Sequence, residues 1–388
     1  MLLWTVLNLL VSSGEASGDI YASRLVQALA ARRPDARFFG MGGPRLAATG
    51  LERLAASESL SVVGIFEVFA KLPAIFAALR ALVRGARGRR TDAAVLIDFP
   101  DFHALLARRL GRLGVPIVYY VSPQVWAWRR RRARTIAGRA LRIVTLFAFE
   151  AEIYRALGAD AVCAGHPIVD DVREGLARPS PLPARTKRRL VLLPGSRRGE
   201  ISRHWVPMAE AAGRLAARFD LEVVAVRAPG LPESLFSGAD RRGIRVVQEG
   251  LHPLLASADL AFVASGTATL EAALCGAPMV VIYRTSAASA AIGRLLIRVP
   301  WISLVNLVAD EEVVVELLQG NATAARLESE GERILVSSEV SAKMRERLAA
   351  VAAKLGPPGA SDRAADAVLE AIEKRKPAAE AARGSAVR

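Results

Sequence analysis

The stretch VSSGEASGD, residues Val11–Asp19, joins an apolar strand pattern to a helical pattern through a small polar turn. The same junction recurs as LLPGSRRGE at Leu192–Glu200 and as ASGTATLE at Ala264–Glu271. A helix that starts directly after such a turn has unpaired backbone N–H groups, and these attract phosphate groups. Because the junction occurs in both halves of the chain, the sequence predicts two nucleotide-binding α/β domains that face one another across a cleft.

Apolar runs alternate with helical patterns along the chain, which is typical of parallel sheets covered by helices. In the first half, the predicted strands are Val6–Ser12, Ala36–Gly40, Ala93–Ile97, Pro116–Val121 and Ile143–Leu146. In the second half, they are Arg189–Leu193, Leu221–Val226, Ile244–Val247, Leu260–Val263 and Met279–Tyr283. A first helix is expected at Ile20–Arg33 before Pro34, and a last helix begins near Ser361.

The domain organisation follows from the length of the chain and from its prolines. At 388 residues the chain exceeds the usual size of a single core. We interpret the proline-rich stretch Ala177–Pro183 as the linker between two domains. The expected domains are residues 1–177, completed by the helix at 361–375, and residues 184–355. A disordered tail is expected at 377–388.

The composition excludes several classes of protein. Hydrophobic residues make up 52% of the chain, which is enough for two cores and too much for general disorder. No uninterrupted apolar run reaches the ~18 residues that a membrane-spanning helix needs. The apolar start MLLWTVLNLLV has no basic leader, so we interpret it as a buried first strand and not as a signal peptide. The protein is therefore expected in the cytosol.

The charge balance indicates an anionic partner. Lysine and arginine number 53 against 38 aspartates and glutamates, a formal net charge of +15. Nucleic acid, an acidic membrane surface and a phosphorylated substrate all fit such a charge, and so does a plain compositional bias toward arginine. Two cysteines and four histidines without ligand spacing predict neither a disulfide framework nor a metal site.

The segment Ser61–Arg90 does not fit an ordinary exposed helix. It is strongly apolar, is interrupted by Glu67, Lys71 and Pro73, and ends in a basic cluster. This combination suits a helix that lies in the interface of a membrane. A core-facing helix with a solvated basic end has the same pattern, and both interpretations stay open.

Two strings in the first half contain candidate site residues. The turn with Gly14 and Ser17 lets a ligand approach the backbone, although Ser17 or Asp19 can equally cap the following helix. IDFPDFH places Asp98 at the carboxyl end of a buried strand, where open α/β sheets bind ligands and an aspartate can accept a proton from a hydroxyl group. Asp101 competes with Asp98, and on spacing alone capping of the next helix explains either carboxylate.

YVSPQVWAW follows the next strand along the chain. Its Ser122, Gln124 and Trp126, with Trp128, can line a sugar or acyl pocket, although a tryptophan pair also suits a core. The basic run Arg129–Arg134 comes directly after it. These arginines fit contacts with lipid phosphates or a solvated helix face.

The two junctions of the second half predict a diphosphate site. After Pro194 and Gly195 turn the chain, Ser196 and Arg197 can donate to a diphosphate, and arginine does so with two parallel hydrogen bonds. Three further residues lie at a helix start, namely Ser265, Gly266 and Thr267. One turn later Glu271 can accept ribose hydroxyls, or it can simply complement the helix dipole.

Taken together in order, these strings resemble the lipid-A-disaccharide synthases, bacterial inverting glycosyltransferases of the GT-B fold. The resemblance runs from about Val11 to about Gln319 and rests on SSGEASGD, MGGPRL, VVGIFEV, IDFPDFH, YVSPQVWAW, AGHP, LLPGSRRGEI, SGTATLE, VIYR, SLVNL and ELLQ. Three departures from the family pattern affect loops: Val305 and Ala148 replace prolines, and Ala309-Asp310-Glu311 replaces an AGR string.

The resemblance implies a reaction and its substrates. UDP-2,3-diacylglucosamine would be the donor and 2,3-diacylglucosamine 1-phosphate (lipid X) the acceptor, at the cytoplasmic face of the inner membrane of a Gram-negative cell. Ser61–Arg90 and Arg129–Arg134 would contact the phospholipid surface. No cofactor, metal ion or nucleic acid is expected, and the oligomeric state stays open, a homodimer included.

The resemblance also implies roles for individual residues. Asp98 would be the base, and Arg197 would stabilise the departing diphosphate together with Ser265–Thr267. Glu271, Asn306 and Gln319 would hold the uridine end, and Glu15 and Ser17 would lie on the acceptor side. The alternative functions are another membrane-associated GT-B transferase, of the peptidoglycan lipid II type, and a basic nucleic-acid-binding protein.

Overall fold

The computed structural model describes residues 6–60, 65–122, 130–183, 185–286 and 299–385. The chain divides into two compact units. The first consists of Met1–Pro167 and Pro358–Arg388, and the second of Ile168–Pro357. Each unit is a parallel sheet with helices, as the alternating patterns predicted.

The first unit is built on a sheet in which seven strands lie among the described residues, in the order β3-β2-β1-β4-β5-β6-β7. The strands are β1 Asn8–Ser13, β2 Arg37–Gly42, β3 Glu52–Ala56, β4 Ala93–Ile97, β5 Ile117–Tyr120, β6 Arg142–Thr145 and β7 Ala161–Cys163. All neighbours pair in parallel. The order reverses between β1 and β4, and every residue of β4 is buried because helices cover both faces of a parallel sheet.

The helices of the first unit are Ala16–Arg32, Pro44–Ala47, Ile65–Gly88, Pro100–Arg112, Arg130–Ala137, Ala148–Arg155 and Ala360–Ser385. The last of these returns from the chain's end to pack on Ala16–Arg32 and β6. Arg142, which is buried in β6, donates to Asp160, to Glu370 and to the carbonyl of Ala367. The C-terminal helix is therefore part of the first unit.

The second unit has a sheet with six strands among the described residues, in the order β10-β9-β8-β11-β12-β13. They are β8 Arg188–Leu193, β9 Leu221–Val226, β10 Ile244–Val247, β11 Leu260–Ala264, β12 Met279–Tyr283 and β13 Glu316–Leu318. Its helices are Ile168–Leu176, Arg198–Phe219, Leu251–Ala256, Ala268–Leu274, Leu304–Ala309, Ala324–Val336 and Ser338–Lys354. Here the order reverses between β8 and β11.

The structure differs from the sequence-based domain limits in two places. The first unit ends at Pro167, so the helix Ile168–Leu176 and the proline-rich stretch Ala177–Pro183 lie inside the second unit. The reason is packing, because that helix contacts Leu251–Ala256 and Ala268–Leu274. The last helix continues to Ser385, where a disordered tail was expected from Pro377.

Three strands were missed in the sequence, and each lies at an edge of its sheet. They are β3, β7 and β13, with the sequences ERLAA, AVC and ELL. An edge strand has a neighbour on one side only, so it does not need a continuous apolar run. Among the helices that the structure describes, none is long and apolar enough to cross a bilayer.

Candidate functional site

Both candidate sites lie where the strand order reverses, at the carboxyl ends of the strands. In the first unit, β1 and β4 meet there, and they are followed by the turn Gly14–Gly18 and by Asp98. In the second unit, β8 and β11 meet there, followed by Pro194–Arg197 and by Ser265–Thr267. Open α/β sheets bind ligands at this point because the connections that follow the two adjacent strands run to opposite sides of the sheet and leave a crevice between them.

In the first unit, Asp98 has a left-handed backbone conformation and a carboxylate with a raised pKa. Its backbone has a φ of 45°, in the left-handed region, and its carboxylate accepts a hydrogen bond of 3.3 Å from the Ser17 hydroxyl. Burial and the nearby negative charge of Glu15 raise the pKa of Asp98 to about 6, although the hydrogen bond from Ser17 lowers it. A carboxylate whose pKa lies near neutrality is suited to exchange protons with a substrate.

Asp101 has a different environment from Asp98. It lies exposed in the first turn of the helix Pro100–Arg112 and pairs with Arg132. The geometry therefore favours Asp98 over its competitor.

Asp19 caps a helix, but a different one from the helix expected. Its carboxylate accepts from the backbone N–H groups of Gly43, Arg45 and Leu46, at 2.7, 3.0 and 3.2 Å. These groups belong to the start of Pro44–Ala47, in the string MGGPRL. The sequence-based expectation that Ser17 or Asp19 caps its own helix is thus replaced: Glu15 is the N-cap residue there, and its side chain makes no capping hydrogen bond.

Of the glycines in the first turn, Gly14 is required by close packing, whereas Gly18 has room for a Cβ atom. A Cβ atom on Gly14 would lie 2.1 Å from the ring of Phe99, and one on Gly18 would lie 3.4 Å from Cβ of Asp98. The turn therefore packs directly against the residues that surround the candidate base. The glycines predicted that a ligand approaches the backbone closely at this turn. In the structure the Phe99 side chain makes that close approach to Gly14.

The end of β5 also lies at this edge of the sheet. Ser122 is buried and lies beside Tyr154, and Val121 before it has a φ of 56°. A left-handed conformation is strained for a β-branched residue, and such strain is found mainly at functional sites. Gln124 and Trp126, predicted for the acceptor, fall outside the described residues.

Two features of this edge were missed in the sequence. The Ser13 hydroxyl is buried and has no hydrogen-bond partner among the described residues. Ser12, its neighbour, shares a hydrogen bond of 2.9 Å with Nε2 of the buried His103. Burial lowers the pKa of His103 to about 3, so its ring is neutral. A serine pair directly before a glycine turn was the signal that could have revealed both.

The Pro194–Arg197 loop of the second unit is held by a carboxylate. Glu200 accepts from the backbone N–H groups of Ser196 and Arg197, at 3.0 and 3.3 Å, and from the Arg197 guanidinium at 3.4 Å. Gly195 has a φ of 125°, and a Cβ atom there would lie 2.6 Å from the Glu200 carboxylate. The loop thus binds an anionic group, which its own helix supplies in this structure.

The turn after β11 is ordered by its neighbours. The backbone N–H of Ser265 donates to the Ile282 carbonyl at 3.0 Å, and its hydroxyl donates to the Ile302 carbonyl at 3.2 Å. Gly266 has a φ of 154° and open space around it, and Thr267 is exposed as the N-cap residue of Ala268–Leu274. The predicted turn is therefore present and accessible.

Glu271 contacts a histidine. Its Oε1 lies 3.0 Å from Nε2 of His252. Gly175 is needed there, because a Cβ atom would lie 1.8 Å from the ring of His252. Glu271 is partly buried in the first turn of its helix, so it is held in place for either of the two roles considered above.

Asn306 has a structural role in place of the predicted uridine contact. Its amide donates to the carbonyl of Val314 and to Glu316, both at 2.9 Å, and accepts from the N–H groups of Val313 and Val314 at 2.9 and 3.0 Å. Two donors and two acceptor positions are all that an asparagine side chain offers. The fully buried Asn306 therefore has no group left for a nucleotide.

Gln319 orders the segment after β12. It has a φ of 50°, and its side-chain carbonyl accepts from the backbone N–H of Thr285 at 3.3 Å. Next to Thr285, the backbone N–H of Arg284 donates to Nε2 of His204 at 2.8 Å, a contact that sequence reasoning did not foresee.

Comparison with protein families identifies relatives along nearly the whole chain. A family model described as Lipid-A-disaccharide synthetase matches residues 9–370. The lipid-A-disaccharide synthase of Myxococcus xanthus is 44% identical over 380 residues, which cover 94% of this chain and 97% of that protein. The enzyme of Solibacter usitatus is 42% identical over 378 residues, with 94% and 98% covered.

Solved structures show the same fold at low sequence identity. The calicheamicin glycosyltransferase CalG4 has a TM-score of 0.63 at 16% identity, with 94% of this chain and 98% of that chain covered. A putative UDP-N-acetylglucosamine 2-epimerase from Listeria monocytogenes has a TM-score of 0.61 at 15% identity, with 96% and 97% covered. These likenesses establish the GT-B fold, which transferases and epimerases share.

Proposed function

The chain belongs to the lipid-A-disaccharide synthase family and is a glycosyltransferase, and from this premise we propose that UDP-2,3-diacylglucosamine is its donor. The proposed acceptor is 2,3-diacylglucosamine 1-phosphate. The products are the β-1,6-linked tetraacyl disaccharide 1-phosphate and UDP. The observation that carries the proposal is the half-buried Asp98, next to Ser17 at the reversal of strand order.

The proposed reaction is a single displacement with inversion. The Asp98 carboxylate takes the proton from the 6-hydroxyl of the acceptor, and that oxygen attacks the anomeric carbon of the donor. The bond from this carbon to the diphosphate oxygen breaks, and UDP leaves on the opposite face. The raised pKa of Asp98 supports its role, because it makes the carboxylate a stronger proton acceptor.

The second unit provides the groups for the departing diphosphate. Arg197 is exposed, and its contact with Glu200 is long, so its guanidinium can turn to a diphosphate with little loss. The Ser196 hydroxyl and the backbone N–H groups of Gly266 and Thr267 are proposed as further donors, while Ser265, whose N–H and hydroxyl donate to carbonyl groups, keeps the turn in place. Because these partners neutralise the leaving charge, the proposed displacement needs no metal ion or other cofactor.

The remaining substrate contacts are proposed for both units. Glu271 and Gln319 hold the uridine end, and Asn306 supports them indirectly by ordering residues 313–316. We propose that the acceptor is bound by the residues predicted from the sequence, namely Gly14, Glu15, Ser17, Ser122, Gln124 and Trp126. The buried hydroxyl of Ser13 is proposed as a further contact. Ser13 is added because its hydroxyl is buried without a described partner at the end of β1.

We further propose that the protein works on the cytoplasmic face of the inner membrane, where acylated substrates reside. The exposed side chains of Leu72 and Phe76 on the helix Ile65–Gly88 support this proposal, because they lie four residues apart on one helix face. Two exposed large apolar side chains followed by arginines suit a phospholipid surface with anionic headgroups. Arg130–Ala137 carries further basic residues.

The reaction is tested with purified protein and both substrates in detergent. We expect one UDP and one disaccharide 1-phosphate for each turnover, and no UDP release when lipid X is omitted. A chelator of divalent metals should leave the rate unchanged. Conversion of the UDP-sugar without the acceptor, or the absence of any disaccharide, would contradict the proposal and would favour another activity of this fold.

A further inference from the structure

His204 lies in the helix Arg198–Phe219 and is fully buried, and the proposed reaction gives it no part. Its ring contacts two backbone groups. Nδ1 lies 2.9 Å from the carbonyl oxygen of Pro194, and Nε2 lies 2.8 Å from the backbone nitrogen of Arg284. One ring thus connects the loop after β8 with the segment after β12.

These two contacts determine the protonation of the ring. A carbonyl oxygen only accepts, so Nδ1 must carry a hydrogen and donate it to Pro194. A backbone N–H only donates, so Nε2 must be the unprotonated acceptor for Arg284. Among the three states of a histidine, only the neutral form with hydrogen on Nδ1 satisfies both partners.

The surroundings of the ring favour this neutral state. Burial is the largest influence and lowers the pKa of His204 below its ordinary value, and the positive charge of Arg284 acts in the same direction. The carbonyl of Pro194 and the carboxylate of Glu200 oppose it. The ring of Tyr283 packs nearby, with the ring centres 6.4 Å apart. A proton on Nε2 would face the N–H of Arg284, so protonation would break that contact.

The topology shows why such a connection matters. In the sheet β11 lies between β8 and β12, so no ladder of backbone hydrogen bonds joins the two strands. The loop Pro194–Arg197 begins where β8 ends, and Arg284 follows the last residue of β12. His204 therefore connects these two segments across the carboxyl end of β11, the strand that Ser265 follows. From the other side, Gln319 holds Thr285.

We propose that His204 is a positioning residue for the nucleoside diphosphate of the donor. It sets the distance between the Pro194–Arg197 loop and the Arg284–Thr285 segment, so that the exposed guanidinium groups of Arg197 and Arg284 reach the same diphosphate. The inference rests on the proposed function of the second unit. His204 itself does not touch the substrate.

The test compares UDP binding by titration calorimetry in three variants. His204→Leu retains similar volume but removes both contacts, and we expect UDP to bind on the order of tenfold more weakly. His204→Gln keeps one donor and one acceptor and should recover most of the affinity. Trp205→Phe is the matched control, because it removes a buried hydrogen bond to Ser237 from the same helix without contacting the loop. It should bind UDP as the unchanged protein does.

An independent readout is the state of the ring itself. Long-range ¹H–¹⁵N spectra of the unchanged protein should show a neutral imidazole protonated on Nδ1 from about pH 8 down to about pH 6. A ring protonated on Nε2, or one that titrates as an ordinary histidine, would overturn the inference even if His204→Leu does not fold.

The outcomes separate this inference from the function on which it rests. If the unchanged protein binds UDP and His204→Leu binds it equally well, the positioning role is wrong and the proposed function stands. If the unchanged protein does not bind UDP, the proposed function fails and the inference fails with it.

Discussion

At the scale of single residues, the candidate base illustrates a conflict between stability and activity. Asp98 adopts a left-handed φ, and burial raises the pKa of its carboxylate to about 6. Both features destabilise the folded state at neutral pH, since the half-buried carboxylate is ionised there. The same features make it a proton acceptor close to neutrality. A residue that served only to cap a helix would gain nothing from such an environment.

We predict opposite effects of Asp98→Asn on activity and on stability. Turnover should fall by about 10²–10⁴-fold, because the base is lost. The free energy of unfolding at pH 7.5 should rise by about 1–3 kcal/mol. The unfolded carboxyl ionises near pH 4 and the folded one at about 6, so the ionisation cost is complete above pH 6 and disappears below pH 4. The gain in stability should therefore shrink as the pH is lowered through this window.

Activity assays and denaturant titrations at several pH values measure both effects. In the unchanged protein, kcat/KM should decline as the pH falls below about 6, where Asp98 becomes protonated. Asp101→Asn is the control, since its carboxylate is exposed and paired with Arg132. Near-normal turnover of Asp98→Asn combined with loss of turnover in Asp101→Asn would reverse the assignment.

At the scale of elements, one buried amide joins the helix Leu304–Ala309 to the start of β13. Asn306 satisfies the N–H groups of Val313 and Val314 and the carbonyl of Val314. Glu316 also accepts from the hydroxyl and the N–H of Ser303, the N-cap residue of that helix. Short elements of three and six residues have little stability of their own, so they depend on this side chain.

Asn306→Ala should therefore act mainly on stability. It leaves buried backbone groups without partners, and we expect the free energy of unfolding to fall by about 2–4 kcal/mol. Thermal and denaturant unfolding measure the change. Asn321→Ala, at an exposed position nearby, should have little effect. Normal stability of Asn306→Ala with complete loss of UDP binding would support the direct uridine contact that the sequence predicted.

Over the full chain, the proposed binding to a membrane rests on two features, the net positive charge and the exposed apolar side chains. The chain has a formal net charge of +15. On the helix Ile65–Gly88, one face packs into the core through Ala78, Leu79, Leu82 and Ala86. The exposed face continues from Leu72 and Phe76 to arginines at the same helical spacing, namely Arg80, Arg84 and Arg87. The core-facing interpretation is thus confirmed for one face of the segment, and contact of the exposed face with a membrane stays a prediction.

We predict that the protein binds vesicles containing phosphatidylglycerol and that salt weakens this binding. Raising the salt from about 0.05 M to about 0.5 M screens the arginines and should release much of the protein. The double change Leu72→Ser and Phe76→Ser should reduce binding roughly tenfold, because it removes apolar area that enters the interface. Co-sedimentation with vesicles measures both effects.

The matched control for this experiment is Val336→Ser, which alters an exposed apolar residue of the second unit. It should bind vesicles as the unchanged protein does. Vesicles of phosphatidylcholine alone should bind less protein at low salt. Equal binding by the double variant and the control would contradict a role for the helix Ile65–Gly88.

Much of the fold was accessible from the sequence, because its signals are local. The central strands β1, β4, β8, β11 and β12 each contain a run of apolar residues buried on both faces of the sheet, and they were predicted within one or two residues. Three edge strands, β3, β7 and β13, have weaker patterns and were missed, whereas the edge strand β10 was predicted with its observed bounds. The helix Ile168–Leu176 was assigned to the wrong unit, since its partners lie far along the chain.

Local sequence patterns establish the α/β class, the two parallel sheets, the family and the position of Asp98 at a strand end. Apolar periodicity and the order of short motifs are properties of neighbouring residues, so they can be recognised without a structure. Only the tertiary structure decided which partners the polar side chains take. Asp19 caps a helix that begins at Pro44, and Glu200 accepts hydrogen bonds from the loop before its own helix. Asn306 supports β13, and His204 connects segments on either side of β11. These partners are set by the packing of distant segments, because hydrogen bonds need contact within about 3 Å that sequence spacing does not specify.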